Sequence, residues 1–299
     1  MKHLTRSLGN WACALLYLLA TAAAGEIRLV DVTGHEVVLE APAQRIVSLA
    51  PHITETLFAA GAGEKIVGTV ASSDYPEAAK AIPQIGGYDR INRESLMAAR
   101  PDLVLAWESG NGSEVIAGLR ALGVTVYVSE VRELDQIAGS LRAFATLAGT
   151  AEAGHAAANA FDRRLATLRN TYSHRPPVTV FYQIWNSPIL TLNGEHLISD
   201  VIRLCGGRNS FTDAIALVPK ISLESILLRD PDVIVASGMG EEHPEWVDDW
   251  RRFPSLRAVQ NQQLYFIPPS LLQRHSTRIL DGAEQLCGFL EEARAGPAT

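Results

Sequence analysis

The sequence lacks the short motifs that mark most common active sites. It contains no Gly-x-Ser-x-Gly elbow, no Walker-type phosphate loop, no His-Glu-x-x-His and no Cys-x-x-Cys. These absences argue against an enzyme. The histidines also lack the i, i+4 spacing of a metal site, so no metal site is predicted. His52 and His243, the two candidate metal ligands, are interpreted as solvated surface residues.

The apolar run near the start of the chain is shorter than a membrane-spanning helix usually needs. Residues 11–20 are apolar, whereas a spanning helix needs about 20 such residues. The run follows the basic residues Lys2 and Arg6 and precedes three alanines at positions 22–24. This order is typical of a cleaved secretory signal, which is predicted at residues 1–24. A membrane anchor is the alternative.

Basic charge is also scarce. The chain has 26 lysines and arginines against 33 acidic residues. Removal of residues 1–24 leaves 24 basic residues against the same 33, a net charge of −9 with histidine neutral. Proteins that bind nucleic acid rely on lysine and arginine contacts to phosphate. Nucleic acid is therefore not an expected partner.

Cysteine is rare as well, with three residues in the chain. Cys13 lies inside the predicted signal and is removed with it. Cys205 and Cys287 remain as an even pair in a chain exported to an oxidising compartment. A disulfide between them is predicted, and two buried thiols are the alternative.

The sequence does contain an internal repeat, because residues 91–106 return as residues 221–236. Each copy has a polar cap, a helix that opens with Glu-Ser, a Pro-Asp stop and a short apolar run. The pattern predicts one helix and one buried parallel strand in each of two similar lobes. Glu94 and Glu224 occupy the same position in the two copies, which suggests a symmetric docking surface. The alternative is that each carboxylate only complements a helix dipole.

The order of the remaining segments predicts an α/β fold. An N-terminal lobe covers residues 25–149 and begins with a β-hairpin at 26–40. One long helix is predicted at residues 150–173, where alanine is abundant and apolar residues recur at helical spacing. A C-terminal lobe follows at residues 174–299. Two similar Rossmann-like lobes, joined by the long helix, would enclose a ligand cleft.

Aromatic residues stand near the ends of the predicted strands. Trp107 follows a strand of the first lobe, Trp185 follows the first strand of the second lobe, and Tyr75 and Tyr88 lie in first-lobe loops. Such rings suit a flat apolar ligand with polar edges. The alternative is that they pack in the core.

On these features the chain resembles a periplasmic substrate-binding protein of an ABC importer, in the rigid-helix class that serves cobalamin, haem and ferric siderophores. It is most similar to the cobalamin-binding type. The resemblance covers nearly all of the chain from Arg45 to Leu290. It is carried by residues 45–51, 54–61, 73–76, 92–94, 100–107, 205–209 and 285–287.

The resemblance implies a monomeric, non-enzymatic periplasmic receptor. It has no cofactor, because cobalamin is the transported ligand. Glu94 and Glu224 would meet arginines of a permease dimer, and Cys205 would pair with Cys287. The residues assigned to the corrinoid groove are Ser72, Tyr75, Tyr88, Trp107, Trp185, Ser270 and Arg274.

The chain departs from the cobalamin-binding pattern at three places. The family often has a tyrosine where Ser72 stands, a tryptophan where Val218 stands, and an Asp-Trp-Phe-Glu-Arg run of which only Arg274 is kept here. A haem or ferric-siderophore receptor, with Tyr75 or Tyr88 as an iron ligand, is therefore one alternative. A chelatase-like α/β enzyme that uses Glu108 is a second alternative.

Overall fold

The computed structural model describes residues 25–238 and 244–296. The predicted signal at residues 1–24 and His243 lie outside these ranges. Within them, no helix has both the length and the apolar character needed to cross a membrane.

The described chain begins with an antiparallel hairpin of strands β1 (Ile27–Val30) and β2 (Glu36–Leu39). Gly34, at φ +80°, makes the turn possible. Asp31 fastens the hairpin to the first lobe, because its buried carboxylate accepts hydrogen bonds from Arg120 (2.6 Å) and from the backbone N–H of Val128 (3.1 Å). The hairpin is thus a fixed part of the first lobe.

The first lobe contains a four-stranded parallel sheet in the spatial order β4-β3-β5-β6. Along its strands alternate residues enter two separate apolar clusters, as Leu103 and Val104 do, so both faces are buried. The strands are β3 (Ile46–Ser48), β4 (Ile66–Gly68), β5 (Leu103–Trp107) and β6 (Val126–Ser129). The helices are α1 (Pro51–Ala59), α2 (Arg93–Ala98), α3 (Glu108–Asn111), α4 (Ser113–Ala121) and α5 (Asp135–Ala148), with 3₁₀ turns at Gly63–Lys65 and Glu77–Ala81.

The long helix α6 (Ala151–Tyr172) follows the first lobe. Its apolar face, which includes Phe161 and Leu165, belongs to one continuous core cluster with α5 and with the second lobe. Ion pairs extend the same link, because Arg169 bonds Asp135 of α5 at 2.8 Å and Arg164 bonds Asp281 of the last helix at 2.6 Å. The helix therefore packs against both lobes.

The second lobe repeats the topology of the first, with the parallel order β8-β7-β9-β10. In both sheets the first strand in sequence lies between the second and the third. The strands are β7 (Val178–Gln183), β8 (Gly207–Asn209), β9 (Val233–Ala236) and β10 (Leu264–Phe266). The helices are α7 (Leu197–Leu204), α8 (Leu223–Arg229), α9 (Arg257–Gln260), α10 (Pro269–Leu272) and α11 (Ile279–Ala295), with a 3₁₀ helix at Pro244–Arg252. The predicted two-lobe α/β fold is confirmed.

The two copies of the internal repeat adopt matching structures. Asn92 and Ser222 cap α2 and α8, and each side chain accepts the backbone N–H three residues later, at 3.0 and 3.3 Å. The Pro-Asp aspartates also correspond. Asp102 accepts the N–H of Arg45 before β3, and Asp232 accepts the N–H of Thr179 in β7. Each aspartate thus secures the first strand of its own sheet.

The predicted disulfide is present. Cys205 follows the last residue of α7, Cys287 lies on α11, and their bond joins residues 82 positions apart. Both cysteines are buried in the core cluster shared by α6 and the second lobe. The bond therefore fixes α11, the last helix, to the second lobe.

Removal of the disulfide is expected to destabilise the protein. A cross-link across a loop of this length restricts the unfolded chain, and losses of about 2–4 kcal/mol are typical. The measurement is urea unfolding of the Cys205→Ser, Cys287→Ser double variant beside the wild type, with and without reductant. Equal free energies of unfolding for the oxidised wild type and the variant would contradict the expectation.

Candidate functional site

A pocket of about 230 Å³ lies between the two lobes. Its first wall comes from the loops that follow β5 and β6, at the carboxyl ends of these parallel strands. Its second wall comes from the start of α7, the loop before α8 and the segment between α10 and α11. The lining residues are Trp107, Ser109, Glu130, Val131 and Arg132 from the first lobe and His196, Leu197, Leu217, Val218 and His275 from the second.

Trp107 is the centre of an aromatic group in this pocket. Its ring centroid lies 5.1 Å from that of His52, 5.9 Å from that of Tyr88 and 6.1 Å from that of His275. His275 belongs to the second lobe, whereas the other three residues belong to the first. The lobes therefore meet through aromatic rings at the base of the cleft.

Asn111 holds the Trp107 loop in place. Its buried side chain accepts the backbone N–H of Trp107 at 2.6 Å and donates to the carbonyl oxygens of Leu49 (3.0 Å) and Tyr88 (2.7 Å). Gly110 lets the indole ring lie against the backbone, because a Cβ atom there would stand 1.8 Å from the ring. The position of Trp107 is thus set by contacts within the first lobe.

Three histidines that are far apart in sequence come together in the cleft. The ring of His275 lies 5.5 Å from that of His52 and 5.8 Å from that of His196. Burial lowers the pKa of His52 to about 3, and a smaller contribution comes from the charge of Arg274. Burial, and then the charge of Arg132, lowers the pKa of His196 to about 4. Burial also holds the pKa of His275 well below its usual value. All three rings are therefore neutral at physiological pH.

The prediction that His52 is a solvated surface residue is wrong. Only 7% of His52 is exposed, because it lies in the first turn of α1, beneath Trp107 and against the second lobe. In residues 25–238 and 244–296, no three His, Cys, Asp or Glu side chains are placed so that they could hold a metal ion together.

A buried ion network joins the lobes beside the histidines. The Glu55 carboxylate on α1 lies 2.8 Å from Arg274 and 3.4 Å from Arg278 of the second lobe. It also accepts a 2.5 Å hydrogen bond from the Ser276 hydroxyl. Arg274 makes a further ion pair with Asp74 of the first lobe at 2.5 Å. The segment between α10 and α11 is therefore bound to the first lobe.

Of the seven residues predicted for the ligand groove, all within the described ranges, one belongs to the lining of this pocket, namely Trp107. The Tyr88 ring neighbours Trp107 at 5.9 Å between centroids but is not part of the lining, and Arg274 is engaged in the ion network. The others have different surroundings: Ser72 is exposed at φ +64°, the Tyr75 ring lies under the Arg278 guanidinium, Trp185 packs against Trp246, and Ser270 is buried in α10.

Glu94 and Glu224 lie away from the pocket lining. Each is exposed in the first turn of its helix, α2 or α8. Hydrogen bonds from its own backbone N–H and from Ser222 lower the pKa of Glu224. The two carboxylates are thus matched in their helices and open to solvent, one on each lobe.

Two residues of the pocket lining carry buried polar atoms that the described chain does not satisfy. Trp107 Nε1 and His275 Nδ1 are buried and have no hydrogen-bond partner within residues 25–238 and 244–296. Native structures rarely leave such atoms unpaired, and a bound ligand is one way to pair them. Flat rings beside unpaired polar atoms suit an apolar ligand with hydrogen-bonding edges.

The chain is similar in sequence and in structure to known periplasmic binding proteins. A family model described as periplasmic binding protein matches residues 46–271. The vitamin B12-binding protein of Vibrio cholerae serotype O1 is 39% identical over 253 residues, which are 85% of this chain and 91% of that protein. The crystal structure of the periplasmic vitamin B12 binding protein BtuF of Vibrio cholerae matches with a TM-score of 0.79 at 39% identity, over 85% of this chain and 98% of that one. The periplasmic heme-binding protein RhuT from Roseiflexus sp. RS-1 matches with a TM-score of 0.74 at 26% identity, over 84% and 99% of the two chains.

Proposed function

The chain belongs to the periplasmic binding protein family, and from this premise we propose that it captures cobalamin, a vitamin B12-type corrinoid, and delivers it to an ABC importer. Its relatives at 39% identity are named binding proteins rather than enzymes. The chelatase-like alternative is therefore set aside. Glu108, its candidate catalytic group, is exposed on α3 and does not line the pocket described above.

The observation that supports cobalamin as the ligand is the part of the pocket lining that contains Trp107. A corrin ring is flat and carries polar side groups at its edge, and it needs both aromatic contact area and hydrogen-bonding partners. The indole of Trp107 supplies the contact area, and the unpaired Nε1 and His275 Nδ1 atoms supply hydrogen-bonding capacity. Leu217 and Val218 add an apolar surface from the second lobe.

Binding of cyanocobalamin to the mature protein tests this proposal. We expect one-to-one binding by calorimetric titration, and a Trp107→Ala variant that binds about 10- to 100-fold more weakly because a central aromatic contact is lost. Trp107→Phe is the matched control, because it keeps a ring and removes only the N–H group; its loss is expected to be about tenfold or less. A wild-type protein that does not bind cyanocobalamin would overturn the proposed ligand.

Delivery requires contact with the importer, and we assign this contact to Glu94 and Glu224. Support comes from their matched positions, because both follow a capping residue, both are exposed, and each lies on a different lobe. Arginine is the expected counterpart on a permease dimer, since a guanidinium pairs with a carboxylate through two parallel hydrogen bonds. One permease subunit would meet each lobe.

Export is assigned to residues 1–24 as a cleaved signal peptide. The support is the order of basic start, apolar run and small residues, together with the periplasmic family of the rest of the chain. N-terminal sequencing of the secreted protein tests the assignment. The expected first residue is Gly25, and a mature protein that retains the apolar run would contradict it.

Haem is the second candidate ligand. The observation that favours it is the match to the Roseiflexus heme-binding protein at 26% identity, together with the neutral imidazole of His196 in the pocket lining. Titration with haemin, in competition with cyanocobalamin, separates the candidates. A shifted Soret band and no response to cyanocobalamin would favour haem. In that case loss of the band in Tyr75→Phe or Tyr88→Phe would identify an iron ligand.

A further inference from the structure

His196 has a fixed tautomer. It precedes α7, and its Nδ1 atom accepts the backbone N–H of Ile198 at 3.1 Å, which caps the helix. An imidazole nitrogen that accepts a hydrogen bond carries no proton, so a neutral ring holds its proton on Nε2. Burial, followed by the charge of Arg132, lowers the pKa of His196 to about 4 and keeps the ring neutral. The ring therefore has one N–H donor, at Nε2.

This donor has no acceptor among residues 25–238 and 244–296, where the one hydrogen bond of the His196 ring is the capping bond through Nδ1. The ring lines the pocket from the second lobe. Trp107 lines the same pocket from the first lobe, and its buried Nε1–H is likewise without a partner. Each lobe thus contributes a lining residue that carries one unpaired N–H donor, and that of Trp107 is buried beside the pocket.

The charge of the pocket indicates which acceptors these donors suit. Its lining contains one cation, Arg132, and one carboxylate, Glu130, and the Glu130 carboxylate accepts the Ser109 N–H at 2.9 Å. The lining therefore has no surplus positive charge. Arg132 is itself exposed to solvent. A buried ligand carboxylate would lose its hydration without gaining a dedicated counter-ion, whereas an uncharged carbonyl oxygen needs only a neutral donor.

We propose that His196 is a ligand-binding residue whose Nε2–H donates to a carbonyl oxygen of an uncharged carboxamide at the ligand edge, with Trp107 Nε1–H as its counterpart on the first lobe. The inference rests on the proposed function, because a corrin carries such carboxamides around its ring. In this arrangement each lobe donates one hydrogen bond to the carboxamides at the ligand edge. The arrangement also explains why a histidine, rather than a shorter capping residue, stands before α7.

Two substitutions separate the capping role of His196 from its ligand role. Serine caps a helix through its hydroxyl but is too short to replace the imidazole donor, so His196→Ser should keep most of the stability. Alanine removes both roles. His155→Ala is the control, because His155 is an exposed histidine on α6, away from the pocket lining. Calorimetric titration with cyanocobalamin and thermal unfolding are measured for all three variants and the wild type.

We expect His196→Ser and His196→Ala to bind cyanocobalamin about tenfold more weakly than wild type, as for one lost neutral hydrogen bond, and only His196→Ala to unfold at a clearly lower temperature. His155→Ala should match wild type in both measurements. Wild-type affinity in His196→Ser would overturn the inference and leave the proposed function intact. Absence of binding by the wild type would overturn the proposed function, and the inference with it.

Discussion

Replacement of both Glu94 and Glu224 by alanine is expected to abolish cobalamin import while leaving cobalamin affinity unchanged. The two carboxylates are exposed, stand outside the pocket lining and occupy equivalent first-turn positions on α2 and α8. Their loss removes one proposed arginine contact on each lobe but no ligand contact. The measurement is uptake of radiolabelled cyanocobalamin by cells that depend on this receptor, beside calorimetric titration of the purified variant.

A matched double variant controls for charge and for helix dipoles. Glu114 and Glu152 are also exposed acidic residues in first helical turns, on α4 and α6. Their joint replacement by alanine removes the same charge and the same few tenths of a kcal/mol of dipole stabilisation per helix. We expect this control to import normally. Unimpaired import by the Glu94, Glu224 double variant would return both glutamates to the dipole interpretation.

Replacement of Glu55 by alanine is expected to lower the free energy of unfolding by about 3–5 kcal/mol. The Glu55 side chain is 2% exposed, and it neutralises Arg274 and Arg278 from the opposite lobe while accepting a hydrogen bond from Ser276. Without it, two largely buried guanidinium groups lose their shared carboxylate. Urea unfolding of the ligand-free variant measures the loss.

Asp74 provides the comparison within the same network. Its side chain is 52% exposed, although it pairs with the same Arg274 at 2.5 Å. Solvent screens such a pair, so Asp74→Ala should cost about 1 kcal/mol or less. A loss below about 1 kcal/mol for Glu55→Ala would show that the buried network does not stabilise the contact between the lobes.

Several features were predictable because they depend on local patterns. The repeat at residues 91–106 and 221–236 carries its own caps and stops, and such signals act within a few residues. The long helix depends on alanine content and apolar spacing, and it occupies Ala151–Tyr172. The disulfide was predicted from the two cysteines that would remain after cleavage of the predicted signal, and Cys205 and Cys287 are bonded. These inferences needed no knowledge of how the lobes meet.

The residues that form the cleft, and their contacts, were harder to predict from the sequence. Trp107 was identified because a strand end and a glycine-rich turn adjoin it, and both signals are local. Arg274 was assigned to the ligand groove from resemblance, and its ion pairs with Glu55 and Asp74 could not be read from positions that lie about 200 residues apart. The one sequence signal for Glu55 was its place in the segment 54–61 that carries the resemblance.

The histidines of the cleft show the difference between what the sequence predicts and what only the tertiary structure decides. Sequence by itself determined the two α/β lobes, the helix that joins them, the paired cysteines and the matched glutamates, because periodicity, capping and pairing chemistry act over short stretches or through residue type. Only the tertiary structure decided that His52, His196 and His275 share one cleft, since they come from different elements and from both lobes. Burial then makes them neutral, because desolvation penalises a charged imidazole, and burial is a property of the folded chain rather than of any spacing along it.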